Sequence, residues 1–133
     1  MAERCIAETR APIEEEGEET AATGERIEAI YDVPYLAHAA MEPLSAVASV
    51  SDTQVEVWAG TQSPELALAA ISDVTGVSRE HIHLHNQLMG GAFGRRPTAD
   101  YIVEAVRIAK AVGKPVRLQW SREDDPRHDL YRP

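Results

Sequence analysis

Cysteine is almost missing from this chain of 133 residues: Cys5 stands alone, so no internal disulfide can staple the fold and no site built on several thiolates can form. Aromatic residues are scarce too, at 5% with a single phenylalanine, Phe93, against 44% hydrophobic residues overall. The core must therefore be built from Val, Ile, Leu and Ala. Positive charge is short: 13 Lys and Arg stand against 22 Asp and Glu, a formal net charge of -9 that argues against a nucleic-acid partner. No apolar run approaches the roughly 20 residues of a membrane span, and the acidic opening from Met1 to Thr20 lacks the basic-then-apolar order of a signal peptide. A soluble chain is expected, with its compartment left open. Its length suits one domain that buries roughly two-thirds of its unfolded surface.

What is present begins with a polar arm. Residues 1–24 are rich in Glu, Ala and Thr, and Glu14-Glu15-Glu16 with Glu18-Glu19 repel one another, so they read as an acidic linker or mobile arm. From residue 25 onward the chain reads as folded. Ile27, Ala29, Tyr31 and Val33 alternate with polar residues and predict a half-buried strand. A hairpin is predicted from Ala46–Val50 and Gln54–Gly60 across the polar turn Ser51-Asp52-Thr53, with Val55, Val57 and Ala59 facing inward. Ser63 as N-cap, Pro64 at the first helical position, apolar residues at Ala67, Ala70, Ile71 and Val74, and Gly76 as stop define a first helix. Ile82, Leu84 and Leu88 resume a strand pattern. A second helix spans Thr98 to Val112 on the stripe Ile102, Ala105, Val106 and Ala109, and Val116, Leu118 and Trp120 form a last strand. The fold class is α/β (α+β): a mixed β-sheet with two main helices packed on it and a hairpin at its N-terminal side. The charged tail from Ser121 to Pro133 is expected to leave the sheet as a surface segment.

Between the third strand and the second helix lies Leu88-Met89-Gly90-Gly91-Ala92-Phe93-Gly94-Arg95-Arg96. Glycine lacks a Cβ, so successive main-chain N–H groups can form a concave anion site there. The neighbouring arginines, Arg95 and Arg96, add fixed positive charge and planar donors suited to phosphate or carboxylate. The pattern G-G-x-x-G matches neither the dinucleotide fingerprint nor the phosphate loop of nucleotide enzymes, and a tight strand-to-helix turn explains it equally well.

Other candidates are weaker. Glu42, between Met41 and Pro43 in an apolar stretch, is placed to hydrogen-bond a ligand or to act as acid or base, although a lone Glu is more often solvated. Gln62 follows a strand and precedes a helix N-terminus, where open α/β sheets place ligands. His81, His83 and His85 share one side of a strand, a spacing compatible with zinc or copper, yet a third ligand and an orienting shell would have to come from elsewhere. Ser45, Ser72 and Asp73 make no nucleophile-base set with a nearby His, and Glu123-Asp124-Asp125 has the composition to bind a divalent cation, although charge runs are usually just solvated.

Taken together, Pro34 to Pro43 (P-Y-L-A-H-A-A-M-E-P), Val57 to Gln62 (V-W-A-G-T-Q), Met89 to Arg96, Trp120 to Asp125 and His128 to Pro133 resemble the molybdopterin-binding large subunit of molybdenum hydroxylases, the xanthine dehydrogenase and aldehyde oxidase family. The likeness is strongest to the branch of isoquinoline 1-oxidoreductase beta subunits and runs in order from Ile27 to Pro133. It implies that residues 25–133 are part of a molybdopterin-binding domain and that the chain is a fragment of a larger enzyme. That enzyme would use a molybdenum-bound, water-derived oxygen to hydroxylate an N-heterocycle or aldehyde. Electrons would leave through an iron–sulfur small subunit.

The resemblance further implies that main-chain N–H groups of Gly91, Ala92, Phe93 and Gly94 meet an oxygen ligand of the metal, that Arg95 and Gln62 belong to the same cofactor surroundings, and that Glu42 lines the substrate pocket. Ala92 departs from the family's usual glycine, and its methyl narrows the allowed φ. The family's catalytic glutamate, set in a Gly-x-Gly-Glu context, has no counterpart here. No catalytic residue and no protein ligand to a metal is therefore assigned, and the isolated chain is expected to lack hydroxylase activity and to hold no cofactor by itself. Its expected partners are the rest of the large subunit, the iron–sulfur subunit and a small-molecule substrate; exposed faces normally covered in the full enzyme would favour self-association. Readings from other classes are a non-catalytic module that captures a small anion or phosphate, and a subunit-interaction domain.

Overall fold

The computed structural model describes residues 27–132, divided between two compact units, Met1–Asp32 and Val33–Pro133. The acidic arm expected over residues 1–24 lies outside the described residues. Within the first unit, residues 27–32 are exposed and carry no regular secondary structure. The strand expected from Ile27 to Val33 is thus corrected. Alternation supplies an apolar side, but a strand exists only through ladder bonds to a neighbour, and none pairs with it among the described residues.

In the second unit, β1 (Ser45–Val50) and β2 (Val55–Ala59) form the expected antiparallel hairpin, with Val47 opposite Trp58 and Ala48 opposite Val57. Ser51 closes the turn: its N–H and its hydroxyl both donate to the Gln54 carbonyl, each at 2.9 Å. Helix α1 (Pro64–Thr75) starts at Ser63 and stops where Gly76 takes the left-handed conformation. Ser63 makes no side-chain cap; its own N–H donates instead to Thr61 Oγ1 at 3.1 Å. One turn of 3-10 helix leads into β3 (Ile82–Asn86), which runs parallel to β2. Helix α2 (Asp100–Val112) ends at left-handed Gly113, and β4 (Val116–Gln119) pairs antiparallel with β1. A short helix, α3 (Asp124–Arg127), follows.

The sheet order is β3-β2-β1-β4, so the sheet is mixed and the fold is α+β as expected. Both long helices share one core with a single face of it. Ala46, Ala48, Val55, Val57, Ala59 and Ile82 from the sheet are buried with Ala67 and Ile71 of α1 and with Tyr101, Ile102, Ala105, Val106 and Ala109 of α2. Small alanines in β1 leave room for the helix backbone to come close, which is why a chain with few aromatics still packs tightly. The opposite face stays uncovered among the described residues; on it Trp58 stacks on His85, ring centroids 4.8 Å apart.

Because β1 alone runs the other way, the C-terminal ends of β2, β3 and β4 lie at one edge of the sheet beside the start of β1. The connecting segments 38–44, 60–62, 87–99 and 120–129 therefore collect there, the edge at which open α/β sheets place ligands. The tail does not leave the sheet, in contrast to expectation. Asp125 and Asp129 are buried, and Arg132 pairs with Leu36 through two main-chain hydrogen bonds of 2.8 and 3.2 Å. Long-range polar contacts hold it, and no local pattern announces them.

Candidate functional site

The glycine-rich loop hangs between two anchors. At its entrance the Gly90 N–H donates to Glu42 Oε2 at 2.8 Å while the Glu42 N–H donates to the Gly90 carbonyl at 3.1 Å. A Cβ on Gly90 would lie 2.6 Å from the Glu42 Cβ, so only glycine permits this approach. At its exit the Arg96 N–H donates to Gln62 Oε1 at 3.3 Å, and the Arg96 carbonyl accepts from the Gln62 N–H at 3.3 Å and from the Thr61 hydroxyl at 2.9 Å.

Between these anchors the chain bends sharply. Gly91 and Gly94 adopt φ of +105° and +90°, and Phe93 joins them at +52°. Ala92 is not among the residues with positive φ, so its methyl meets no left-handed strain. The Arg95 N–H closes the bend on the Ala92 carbonyl at 2.8 Å. Gly90, Arg95 and Arg96 thus spend their N–H groups on the protein, whereas those of Gly91, Ala92, Phe93 and Gly94 donate to no other group among the described residues. These four donors lie at or near the surface, where they are open to water or to a ligand. Phe93 and Gly94 are exposed at the crest.

The two arginines face inward. Arg95, 2% exposed, places its two terminal nitrogens on the Asp100 carboxylate at 3.0 and 2.6 Å. Its Nε lies 2.8 Å from Asp129 Oδ1, an ion pair outside hydrogen-bond geometry, and its guanidinium lies over the Trp120 ring at 5.7 Å. These acidic neighbours raise the Arg95 pKa against the opposing effect of burial. The donors that the sequence offered to a ligand are therefore turned to the protein's own carboxylates. Arg96, 1% exposed, donates to the Glu42 carbonyl at 2.9 Å and to Glu42 Oε2 at 3.0 Å, with a long contact of 3.5 Å to the Gly60 carbonyl.

Gln62 is exposed, and with its Oε1 on Arg96 its amide NH2 donates to nothing among the described residues. Glu42 borders a cleft of about 250 Å³ on the uncovered sheet face, lined also by Ser45, Val47, Trp58, Leu88 and Arg117. A wider cleft of about 820 Å³ runs along Val103, Ile108, Leu118 and Trp120 and does not include the glycine loop. His81, His83 and His85 are exposed, and among the described residues no three His, Cys, Asp or Glu side chains are placed to hold a metal ion.

Sequence reasoning missed the contacts that bind segment 38–44 to the tail. The Asp129 carboxylate accepts a hydrogen bond from the His38 N–H, lies 2.9 and 3.1 Å from His38 Nδ1, and accepts from the Leu130 N–H at 2.8 Å. Burial pushes its pKa up, but these hydrogen bonds and the charge on His38 outweigh that effect and hold it below the ordinary value. Arg122 donates to the Ala40 and Met41 carbonyls at 2.6 and 2.8 Å and pairs with Asp125, whose carboxyl burial raises. Asp125 and Asp129 sit in a proline-punctuated charge run, and because such runs are usually solvated nothing local sets them apart.

Fold and loop together define an α+β domain with a glycine-rich bend at the carboxyl edge of its mixed sheet. The family model for the molybdopterin cofactor-binding domain matches residues 5–132, and the chain belongs to that family. It is 39% identical over 95 residues to the beta subunit of isoquinoline 1-oxidoreductase from Brevundimonas diminuta, covering 71% of this chain and 12% of that protein. It is 33% identical over 101 residues to a nicotinate dehydrogenase subunit from Pseudomonas putida, covering 76% and 8%. Among solved structures, the aldehyde oxidoreductase of Desulfovibrio gigas superposes with a TM-score of 0.62 at 28% identity, over 74% of this chain and 11% of that one. The chain thus spans roughly a tenth of the length of these relatives.

Proposed function

We propose that this chain supplies one wall of the molybdenum-cofactor site in a larger oxidoreductase that hydroxylates an N-heterocyclic or aldehyde substrate with oxygen taken from water. One observation carries the reading: N–H groups on four consecutive residues, Gly91 to Gly94, have no partner among the described residues while those on either side are tied down. Such a crest suits an anionic, oxygen-rich group, because each N–H donates without any movement of charge on the protein. When bound, the cofactor would supply the two-electron oxidation. This chain's own part is to bind and orient: the loop amides as donors, the Gln62 amide as a neighbouring donor, Glu42 at the margin of the pocket, and Arg95 as a buttress beneath the loop. Exposed Met41, Leu88 and Phe93 around the crest form surface that the remainder of the large subunit would cover, and the iron–sulfur partner would dock outside that layer.

Part of a site binds weakly, so the test reads amide positions by 15N NMR. Added molybdenum cofactor at millimolar concentration is expected to shift the Gly91 to Gly94 resonances, and inorganic phosphate at equal ionic strength to leave them in place. Tight phosphate binding without a response to the cofactor would overturn this reading in favour of a simple anion-binding module.

A further inference from the structure

We infer that Glu42 and Arg96 form a closed brace that sets the aim of the Gly91–Gly94 amides, which makes Glu42 a positioning residue. The inference builds on the proposed role of the loop, but it stands on contacts of its own. Glu42 holds the entrance of the loop through three groups: its N–H on the Gly90 carbonyl, its Oε2 on the Gly90 N–H, and its Cβ pressed against the space that a Gly90 side chain would need. Arg96 is the exit anchor through its main chain, fastened to Gln62 and Thr61. Its side chain then runs back across the base and grips Glu42 at both the carbonyl, 2.9 Å, and Oε2, 3.0 Å. The residue that ends the loop is therefore bonded directly to the residue that begins it. Both ends are fixed to one point, and the intervening bend cannot widen without breaking a charged contact.

Two further features show that the guanidinium is placed for this contact. Arg96 is buried, yet its Nε meets no acceptor among the described residues. Leaving a buried donor empty is unfavourable, so an arginine free to satisfy itself would rotate away. The fork stays on Glu42 at the expense of that nitrogen. The second feature is Gly60, whose carbonyl accepts a 2.6 Å hydrogen bond from the Tyr101 hydroxyl and lies within 3.5 Å of the Arg96 guanidinium. The brace thus rests on the end of β2 and on helix α2, both parts of the core. A buried arginine tying loop to core transmits the rigidity of the sheet to a segment that has no ladder of its own.

The experiment needs no ligand. In the uniformly 15N-labelled chain, order parameters of the Gly91–Gly94 amides are expected to resemble those of structured backbone, about 0.85. Glu42→Ala is expected to lower them below about 0.6 and to speed exchange of the Gly90 amide at least tenfold, while amides of β1, β2 and α2 keep their values. Glu42→Gln retains an oxygen that can accept from Gly90 and is expected to restore most of that amide's protection. Loop order unchanged in Glu42→Ala, or a Gln variant as disturbed as the Ala variant, would overturn the brace. Should the ordered loop show no response to the cofactor, the proposed function fails and the brace stands; should the cofactor move amides in a loop indifferent to Glu42, the reverse holds.

Discussion

Gly90→Ala separates steric from conformational demands on the loop more cleanly than any other substitution. The new Cβ would lie 2.6 Å from the Glu42 Cβ and 3.4 Å from the Glu42 nitrogen, atoms fixed to backbone that cannot rotate aside. The two segments must separate by about an ångström or more to reach ordinary contact near 3.5–4.0 Å. That separation breaks the hydrogen bond from the Gly90 N–H to the Glu42 carboxylate and the one from the Glu42 N–H to the Gly90 carbonyl. A neutral hydrogen bond contributes about 1 kcal/mol and a charged one about 1.5 at the low end, chosen because the carboxylate is partly solvated, for a total of about 2–3 kcal/mol. Gly94→Ala provides the contrast. Nothing lies within 4 Å of its new Cβ, but φ of +90° is unfavourable for alanine, a strain of about 1–2 kcal/mol. Urea unfolding followed by far-ultraviolet circular dichroism measures both; with a slope near 1.5 kcal/mol per M, Gly90→Ala should lower the midpoint by about 1.3–2 M and Gly94→Ala by about 0.7–1.3 M. A Gly90→Ala variant less perturbed than Gly94→Ala would refute the close approach on which the loop's entrance depends.

Two further outcomes follow from buried groups. The Tyr101 hydroxyl, its pKa pushed up to about 12 by burial, stays protonated and donates to Gly60 at 2.6 Å; Tyr101→Phe should cost about 1 kcal/mol in thermal unfolding, and no loss at all would deny that bond a role. Asp129 titrates below its ordinary value, so its contribution is present above the unfolded value near 4 and disappears as pH falls through the folded one, while Asp125, raised by burial, works in the opposite sense. Asp129→Asn should therefore destabilise the chain more at pH 7 than at pH 3, and equal losses at the two pH values would refute that assignment.

The two long helices and the hairpin were legible because each rests on local rules: Pro64 and Gly76 bracket α1, Gly113 and Pro115 close α2, and Val55, Val57 and Ala59 alternate into the core. The same alternation over Ile27 to Val33 misled, since period two records an apolar side and says nothing of whether a neighbouring strand is available to pair with it. The location of the loop, at the end of β3 and before α2, was also readable from its glycines. Its scaffolding was not. Arg95 and Arg96 look alike beside the glycines, and nothing local says that one reaches Asp100 and Asp129 while the other turns back to Glu42. Asp129 and Glu42 are brought to them by the topology that gathers four segments at one edge, and a pairing across 54 positions leaves no periodic trace.

The bond between His38 and Asp129 joins residues 91 positions apart, and Arg122 reaches Ala40 across 82. As the chain is synthesised, everything from the hairpin to β4 is available before the acids that fasten segment 38–44 have emerged. Segment 38–41 is therefore fastened last, because its bonds to Arg122 and Asp129 form only after the tail has arrived. A nascent chain clipped ahead of Asp129 would own strands β1 to β4 and both long helices yet lack the carboxylate that takes the His38 N–H.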